Sequence, residues 1–185
     1  MKHQQRQRTV LLRLLIFLFV AAALLAGPAP QLWDTAAQSA IAAYISETPW
    51  AYPALKTLHI MSIGLLYGCL FAYGLRALNF GRAIPLEALG DHVFPWVWLG
   101  LAINVVSGTL MFLPNAQDYA DNPAFQLKVL LVLALGVNLE VNQRIVRFYA
   151  NDGKPTLRAR IVAIGSLAFW TCVIAAGSMV AYTAA

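Results

Sequence analysis

Charged residues are scarce in this sequence. They make up 11% of its 185 residues, whereas hydrophobic residues make up 60% and the mean hydropathy is +0.65. A soluble domain carries about 25% charged residues, so this composition is typical of a membrane protein. The sequence also lacks a CxxC pair, a phosphate-binding glycine loop and a G-x-S-x-G motif. The usual signatures of dithiol, nucleotide and hydrolase chemistry are therefore absent.

Five apolar runs, each near the ~20 residues that cross a bilayer core, occupy most of the chain. They cover 11–27, 54–77, 93–113, 124–143 and 160–183. If all five cross, eleven of the thirteen Lys and Arg residues fall on one side, and only Lys56 and Lys128 fall on the other. Lys and Arg are enriched in short cytoplasmic loops. We therefore expect an all-α bundle of five transmembrane helices in a bacterial inner membrane, with the N-terminus inside and the C-terminus outside.

The runs divide the chain into three parts. Residues 1–27 form a basic tail and a first transmembrane anchor, although the 14 apolar residues 14–27 also fit a signal peptide. Pro28 directly after the candidate cleavage point favours a retained anchor. Residues 28–53 form an outer connection, in which 31–47 predict a short amphipathic helix that lies on the membrane surface or folds over the bundle mouth. Residues 54–185 form a four-helix membrane bundle.

Ionisable residues inside the spans are candidates for function because they are costly there. His59 lies ~8 Å and Lys128 ~6 Å below the outer starts of their spans. Met111 and Met179 fall in the same outer layer. Imidazole and thioether ligands suit Cu(I), and a His/Met pair also suits haem iron. We expect His59 and Lys128 to bind a cofactor, haem b or copper, with His59, Met111 and Met179 as metal ligands. Met61 lies ~200° around the helix from His59 and fits this site poorly.

The other ionisable residues fit no such site. His92 and His3 lie on the inner side, and ~30 Å of hydrocarbon separates them from His59, which disfavours a bis-histidine haem. Glu140 and Arg144 are spaced i, i+4 and predict a local ion pair at the inner end of the fourth span. The net charge of +5 follows from the membrane topology, so no nucleic-acid partner is expected.

Two alternatives remain open. The first is a transporter or transport accessory, with His59 and Lys128 at the outer mouth and Asn104 and Asn138 along a polar path. The asparagines also suit a purely structural role as hydrogen bonds between helices. The second alternative is a structural subunit of a membrane complex. A small-xxx-small pair, Gly64 and Gly68, would let another helix or a second copy approach closely. The lipid bilayer and a periplasmic or membrane protein are the expected partners.

Short motifs carry a resemblance to a known family. They are Trp50-x-x-Pro53, Leu58-His59, Leu75-Arg76, Pro95-Trp96-x-Trp98 and Asn122-Pro123-Ala124-Phe125-x-Leu127-Lys128. With these motifs, the stretch 50–143 resembles an uncharacterised bacterial inner-membrane family, a domain of unknown function. The His on an early span is more distantly similar to the copper-resistance CopD membrane domain and to b-type cytochrome bundles, whose further histidines have no counterparts here. The resemblance implies a fold and a location, and no established reaction.

Overall fold

The computed structural model describes residues 30–120, 122–151 and 154–183, and this part of the chain is almost entirely helical. The predicted tail and first anchor lie outside the described residues. The elements are α1 (Pro30–Ala37), α2 (Ala40–Glu47), α3 (Ala51–Ala77), α4 (Leu86–Phe112), a 3-10 turn (Leu113–Asn115), α5 (Ala116–Ala120), α6 (Pro123–Tyr149), β1 (Ala150–Asn151), β2 (Lys154–Pro155) and α7 (Leu157–Thr183). The strands pair antiparallel, with Ala150 opposite Pro155.

Three stretches of helix in the described residues are long and apolar enough to cross a membrane, namely Ala51–Ala77, Leu86–Tyr119 and Leu157–Ala175. This confirms a helical membrane protein. The five-span count and the orientation stay predictions. Helix α6 matches the fourth predicted run and is also 27 residues long. Helix α4 begins at Leu86, before the predicted start at 93, and it contains Pro95 inside the helix. A membrane helix tolerates such a proline because neighbouring groups can satisfy the freed carbonyl.

Local sequence accounts for the ends of the helices. Asn122 Oδ1 accepts a hydrogen bond from the Phe125 amide at 3.4 Å, and Pro123 takes the first helical position of α6, where a missing N–H costs little. The turn between α3 and α4 contains Asn79 and Gly81 at positive φ, 77° and 62°. Arg76 is buried against this turn and donates through Nε to the Ile84 carbonyl.

The long helices pack as two antiparallel pairs, α3 with α4 and α6 with α7, and α7 also contacts α3. Their shared core is apolar and is formed mainly by Leu66, Leu70, Tyr73, Leu86, Phe94, Val97, Leu101, Leu135, Leu139, Ala163 and Trp170. Helix α4 approaches α3 most closely at Gly100, where an added Cβ would lie 2.9 Å from Leu66 Cβ and 3.0 Å from the Ser62 carbonyl oxygen. A glycine is required at this crossing because backbone atoms of α3 lie too close to the position that a Cβ would occupy.

Gly64 and Gly68 lie elsewhere on α3. Both are exposed, and an added Cβ at either position would meet nothing within 4 Å. In the described part of the chain, the close approach to α7 occurs instead at Gly74, against Leu167. The small-xxx-small pair is therefore not used to pack α3 inside the described bundle.

The predicted amphipathic stretch forms a cap over one end of the bundle, which we call the cap end. It consists of two helices and not one, because Ser39 interrupts the helix and caps α2 by accepting from the Ala42 amide at 3.2 Å. The break changes the buried face: Ala42 and Ile45 are buried, whereas Ile41 and Tyr44 are more than half exposed. The cap packs on the connection 113–120, so folding over the bundle mouth describes it better than surface attachment alone.

Candidate functional site

The imidazole of His59 lies at the α3–α4 contact. His59 is eight residues into α3, about 12 Å from the cap end of that helix. Its Nδ1 lies 3.0 Å from the Ser107 hydroxyl on α4. A Cβ on Gly108 would stand 3.1 Å from the His59 Cε1 atom. The ring therefore uses the space that the missing side chain of Gly108 leaves, which brings it against α4.

The surrounding hydrogen bonds assign the tautomer of His59. The Ser107 hydroxyl lies 2.7 Å from the Ile103 carbonyl and 3.2 Å from the Asn104 carbonyl, so its single proton is donated along its own helix. The hydroxyl oxygen is then left to accept, which favours the tautomer of His59 with the proton on Nδ1. Nε2 keeps its lone pair. Metal-binding histidines are commonly held in this way, with one ring nitrogen donating to a fixed acceptor and the other left for the metal.

Asn104 contacts the ring directly, and Ser62 contacts Asn104 and the backbone of His59. The Asn104 amide nitrogen lies 3.4 Å from Nδ1 and 3.3 Å from Nε2 of His59. The amide nitrogen can only donate, so with the proton on Nδ1 it is a hydrogen-bond donor to Nε2. It also lies 3.3 Å from the Ser62 hydroxyl, which donates to the His59 carbonyl at 2.7 Å. The imidazole is thus held at both ring nitrogens, and the Asn104 amide would have to turn aside for Nε2 to bind a ligand.

Lys128 brings a third helix to the site. It lies five residues into α6, about 8 Å from the cap end of that helix. Lys128 is half-buried, and its positive charge acts on the His59 ring. Among the described side chains, no carboxylate forms an ion pair with Lys128. The structure therefore brings together the two residues predicted to bind a cofactor. We call the five residues His59, Ser62, Asn104, Ser107 and Lys128 the polar site.

An aromatic cluster separates the polar site from the cap end. We call it the aromatic roof, and its members are Trp33, Phe112, Tyr119 and Phe125. Phe112 and Phe125 are stacked with ring centroids 4.9 Å apart, and Trp33 meets Phe112 edge-on at 5.5 Å. Phe112 follows Gly108 by one helical turn, and Phe125 precedes Lys128 by one turn. Along α4 and α6, the roof therefore lies between the polar site and the cap end.

The predicted methionine ligands are placed differently from one another. Met61 has a relative exposure of 66% and points away from the bundle, as its angular position predicted. Met111 is half-buried and follows Ser107 by one turn on α4, on the cap-end side of His59. Met179 falls within α7, but its side chain lies outside those that the structure describes. In the described residues no group of three or more His, Cys, Asp and Glu side chains converges.

The remaining polar residues have structural contacts. Asn138 Oδ1 accepts from the Ser166 hydroxyl at 2.8 Å and ties α6 to α7, the structural role predicted for these asparagines. Arg144 Nε donates to Glu140 Oε1 at 2.8 Å, which confirms the predicted local pair. His92 is exposed in the first two turns of α4, with Nδ1 2.8 Å from the Ala88 carbonyl, far from the polar site.

Sequence reasoning missed the roles of Ser107 and Gly108. A signal for them was available, because Gly100, Asn104 and Gly108 recur every four residues and so share one face of α4. Two small residues flanking a polar one indicate a close helix contact that also holds a hydrogen-bonding group. This face is the one that meets His59, Ser62 and Leu66.

Comparison with known proteins gives a family and no activity. No functionally curated protein and no solved structure matches the chain. Residues 33–183 match a family described as a family of unknown function, DUF6644. The match agrees with the predicted resemblance to an uncharacterised family and extends it over the cap and all four described long helices. Bacterial origin and the similarity to CopD stay predictions. The chain belongs to the DUF6644 family of unknown function.

Proposed function

We propose that this protein is a five-span bacterial inner-membrane protein with its N-terminus inside and the cap end facing outward. The three membrane-spanning helices, the length of α6 and the one-sided Lys and Arg distribution support this topology. Glu47 lies at the cap end and Arg82 at the opposite end, and both are exposed.

Cysteine labelling tests the orientation. In a background without Cys69 and Cys172, Glu47→Cys should react with a membrane-impermeant maleimide in intact cells. Arg82→Cys should react only after permeabilisation. The reverse pattern would contradict the proposed orientation.

We further propose that the polar site binds haem b or a copper ion through Nε2 of His59. One observation carries this proposal: the Ser107 hydroxyl and the space at Gly108 fix the imidazole of a histidine inside a long apolar helix, and the neutral Asn104 amide on Nε2 would turn aside for a ligand. The donor chemistry fits, since a neutral imidazole suits both haem iron and copper. Met111 is the second ligand that the described residues offer, one turn from Ser107.

In this proposal each residue has a separate task. Ser107 fixes the tautomer and orientation of the imidazole, and Gly108 makes room for it. The aromatic roof excludes water from the cap end. A bound haem or copper would supply one-electron chemistry, in keeping with a redox or metal-handling membrane component. A periplasmic or membrane protein is the expected exchange partner.

Reconstitution with two histidine variants tests the proposal. The purified full-length protein is titrated with haem and, separately, with Cu(I), and binding is followed by absorption and by competition with a Cu(I) chelator. Wild type and His92→Ala should bind alike, because His92 is exposed and distant from the polar site. His59→Ala should lose the binding. Equal binding by all three would contradict the proposal, and binding by none would favour solute transport past Lys128 and Asn104.

A second role, docking of a partner membrane helix, rests on the open face of α3. Gly64 and Gly68 are exposed, and no described atom stands near their Cβ positions. We expect Gly64→Leu to dissociate such a complex, measured by mass in nanodiscs. Gly165→Leu on α7 is the matched control, since that glycine has equally open surroundings.

A further inference from the structure

We propose that Lys128 binds the carboxylate of an amphipathic ligand that is held at the same time by Nε2 of His59. This inference rests on the proposed function and deepens it, because it distinguishes between the two candidate ligands. It assigns the site to an iron porphyrin with acidic side chains and not to a bare copper ion.

The charges of the polar site support this choice. Lys128 lies one helical turn from Phe125, which stacks on Phe112 one turn from Gly108, and it has no ion-pair partner among the described side chains. An ammonium group that is withdrawn from water is costly when no anion accompanies it. A ligand carboxylate beside Lys128 would remove that cost. A cuprous ion in the same place would add a second positive charge and would be repelled.

The hydrogen bonds already made within the site point to the same group. The hydroxyls of Ser62 and Ser107 donate to backbone carbonyls, and the Asn104 amide is directed to His59. Lys128 is therefore the donor of the polar site that these contacts leave for an incoming anion. The aromatic roof increases the effect, because an ion pair shielded from water interacts more strongly than an exposed one.

The two contacts can be separated by changing the ligand as well as the protein. Haem offers iron and carboxylates, haem dimethyl ester offers iron alone, and metal-free protoporphyrin IX offers carboxylates alone. The dissociation constant of each is measured with the full-length protein in nanodiscs by absorption and by quenching of tryptophan fluorescence. Lys56→Gln is the matched control for Lys128→Gln, since Lys56 lies near the same end of the bundle but is exposed.

Lys128→Gln should weaken the binding of haem and of protoporphyrin IX by about 10-fold to 100-fold. This is the effect expected when a charge-assisted hydrogen bond is lost. It should leave the dissociation constant of the ester unchanged, and Lys56→Gln should change none of the three dissociation constants. His59→Ala should weaken the binding of haem and of the ester, and should leave the binding of protoporphyrin IX unchanged.

Three results would overturn the inference. The first is that Lys128→Gln weakens the binding of haem and the binding of its ester equally. The second is no weakening by that variant at all. The third is Cu(I) binding through His59 without any porphyrin binding, which would leave the proposed function intact. Failure of the wild type to bind haem, the ester, protoporphyrin IX and Cu(I) would overturn both.

Discussion

Gly100→Ala is expected to destabilise the protein by separating α3 from α4. The added Cβ would lie 2.9 Å from Leu66 Cβ, 3.0 Å from the Ser62 carbonyl oxygen and 3.2 Å from the Leu66 amide nitrogen. Two of these three atoms are backbone, so they cannot move away by a change of rotamer. Overpacking of this kind typically costs about 1–3 kcal/mol.

Gly64→Ala on α3 is the matched control. Both substitutions gain the same helix propensity, about 1 kcal/mol in water, so their difference isolates the steric effect. At Gly64 the added Cβ meets nothing within 4 Å, and stability should be unchanged or slightly higher. The free energy of unfolding is measured by SDS titration in mixed micelles, followed by circular dichroism.

Two outcomes would refute this reasoning. Equal unfolding free energies for Gly100→Ala and Gly64→Ala would show that the α3–α4 crossing is looser than the structure indicates. Destabilisation by Gly64→Ala alone would place the close helix contact at the other glycine, as the sequence pattern first suggested. In either case the position of the His59 ring against α4 would have to be revised.

Three further outcomes follow from the hydrogen bonds. Ser107→Ala should weaken ligand binding at His59 by about 10-fold, measured by haem titration, because Nδ1 loses its acceptor. Ser166→Ala and Asn138→Leu should each destabilise the α6–α7 pair, and in SDS titrations their double variant should cost less than the sum, with a coupling of about 0.6 kcal/mol. Glu140→Gln should change the free energy of unfolding by less than about 0.5 kcal/mol, since Arg144, the partner of Glu140, is 65% exposed.

Much of the fold could be predicted from hydropathy. A membrane span needs a long apolar run, and in lipid the backbone of that run must satisfy its own hydrogen bonds, which a helix does. The bounds were less accurate. Helix α4 begins seven residues before the predicted run because its first two turns carry Glu87, Asp91 and His92 outside the apolar stretch. The cap was predicted as one helix, and Ser39 breaks it by capping α2.

The site could be predicted only in part. His59 and Lys128 stand out because a charge inside a span is rare, and the structure brings the two together. The face through which each helix packs against its neighbour could not be predicted equally well. Gly64 and Gly68 have the spacing of a contact pair, yet Gly100 makes the contact between α3 and α4. Interhelical distances depend on which faces meet, and one helix's sequence does not contain that information.

The proposed function depends most on whether His59 holds a metal or a haem. The most direct measurement is the iron and copper content of the wild-type protein, purified gently from the membranes of its own cells, together with its absorption spectrum. We predict near-stoichiometric iron with a haem spectrum, or near-stoichiometric copper, and loss of that metal in His59→Ala. A metal-free protein that takes up neither haem nor Cu(I) would contradict it.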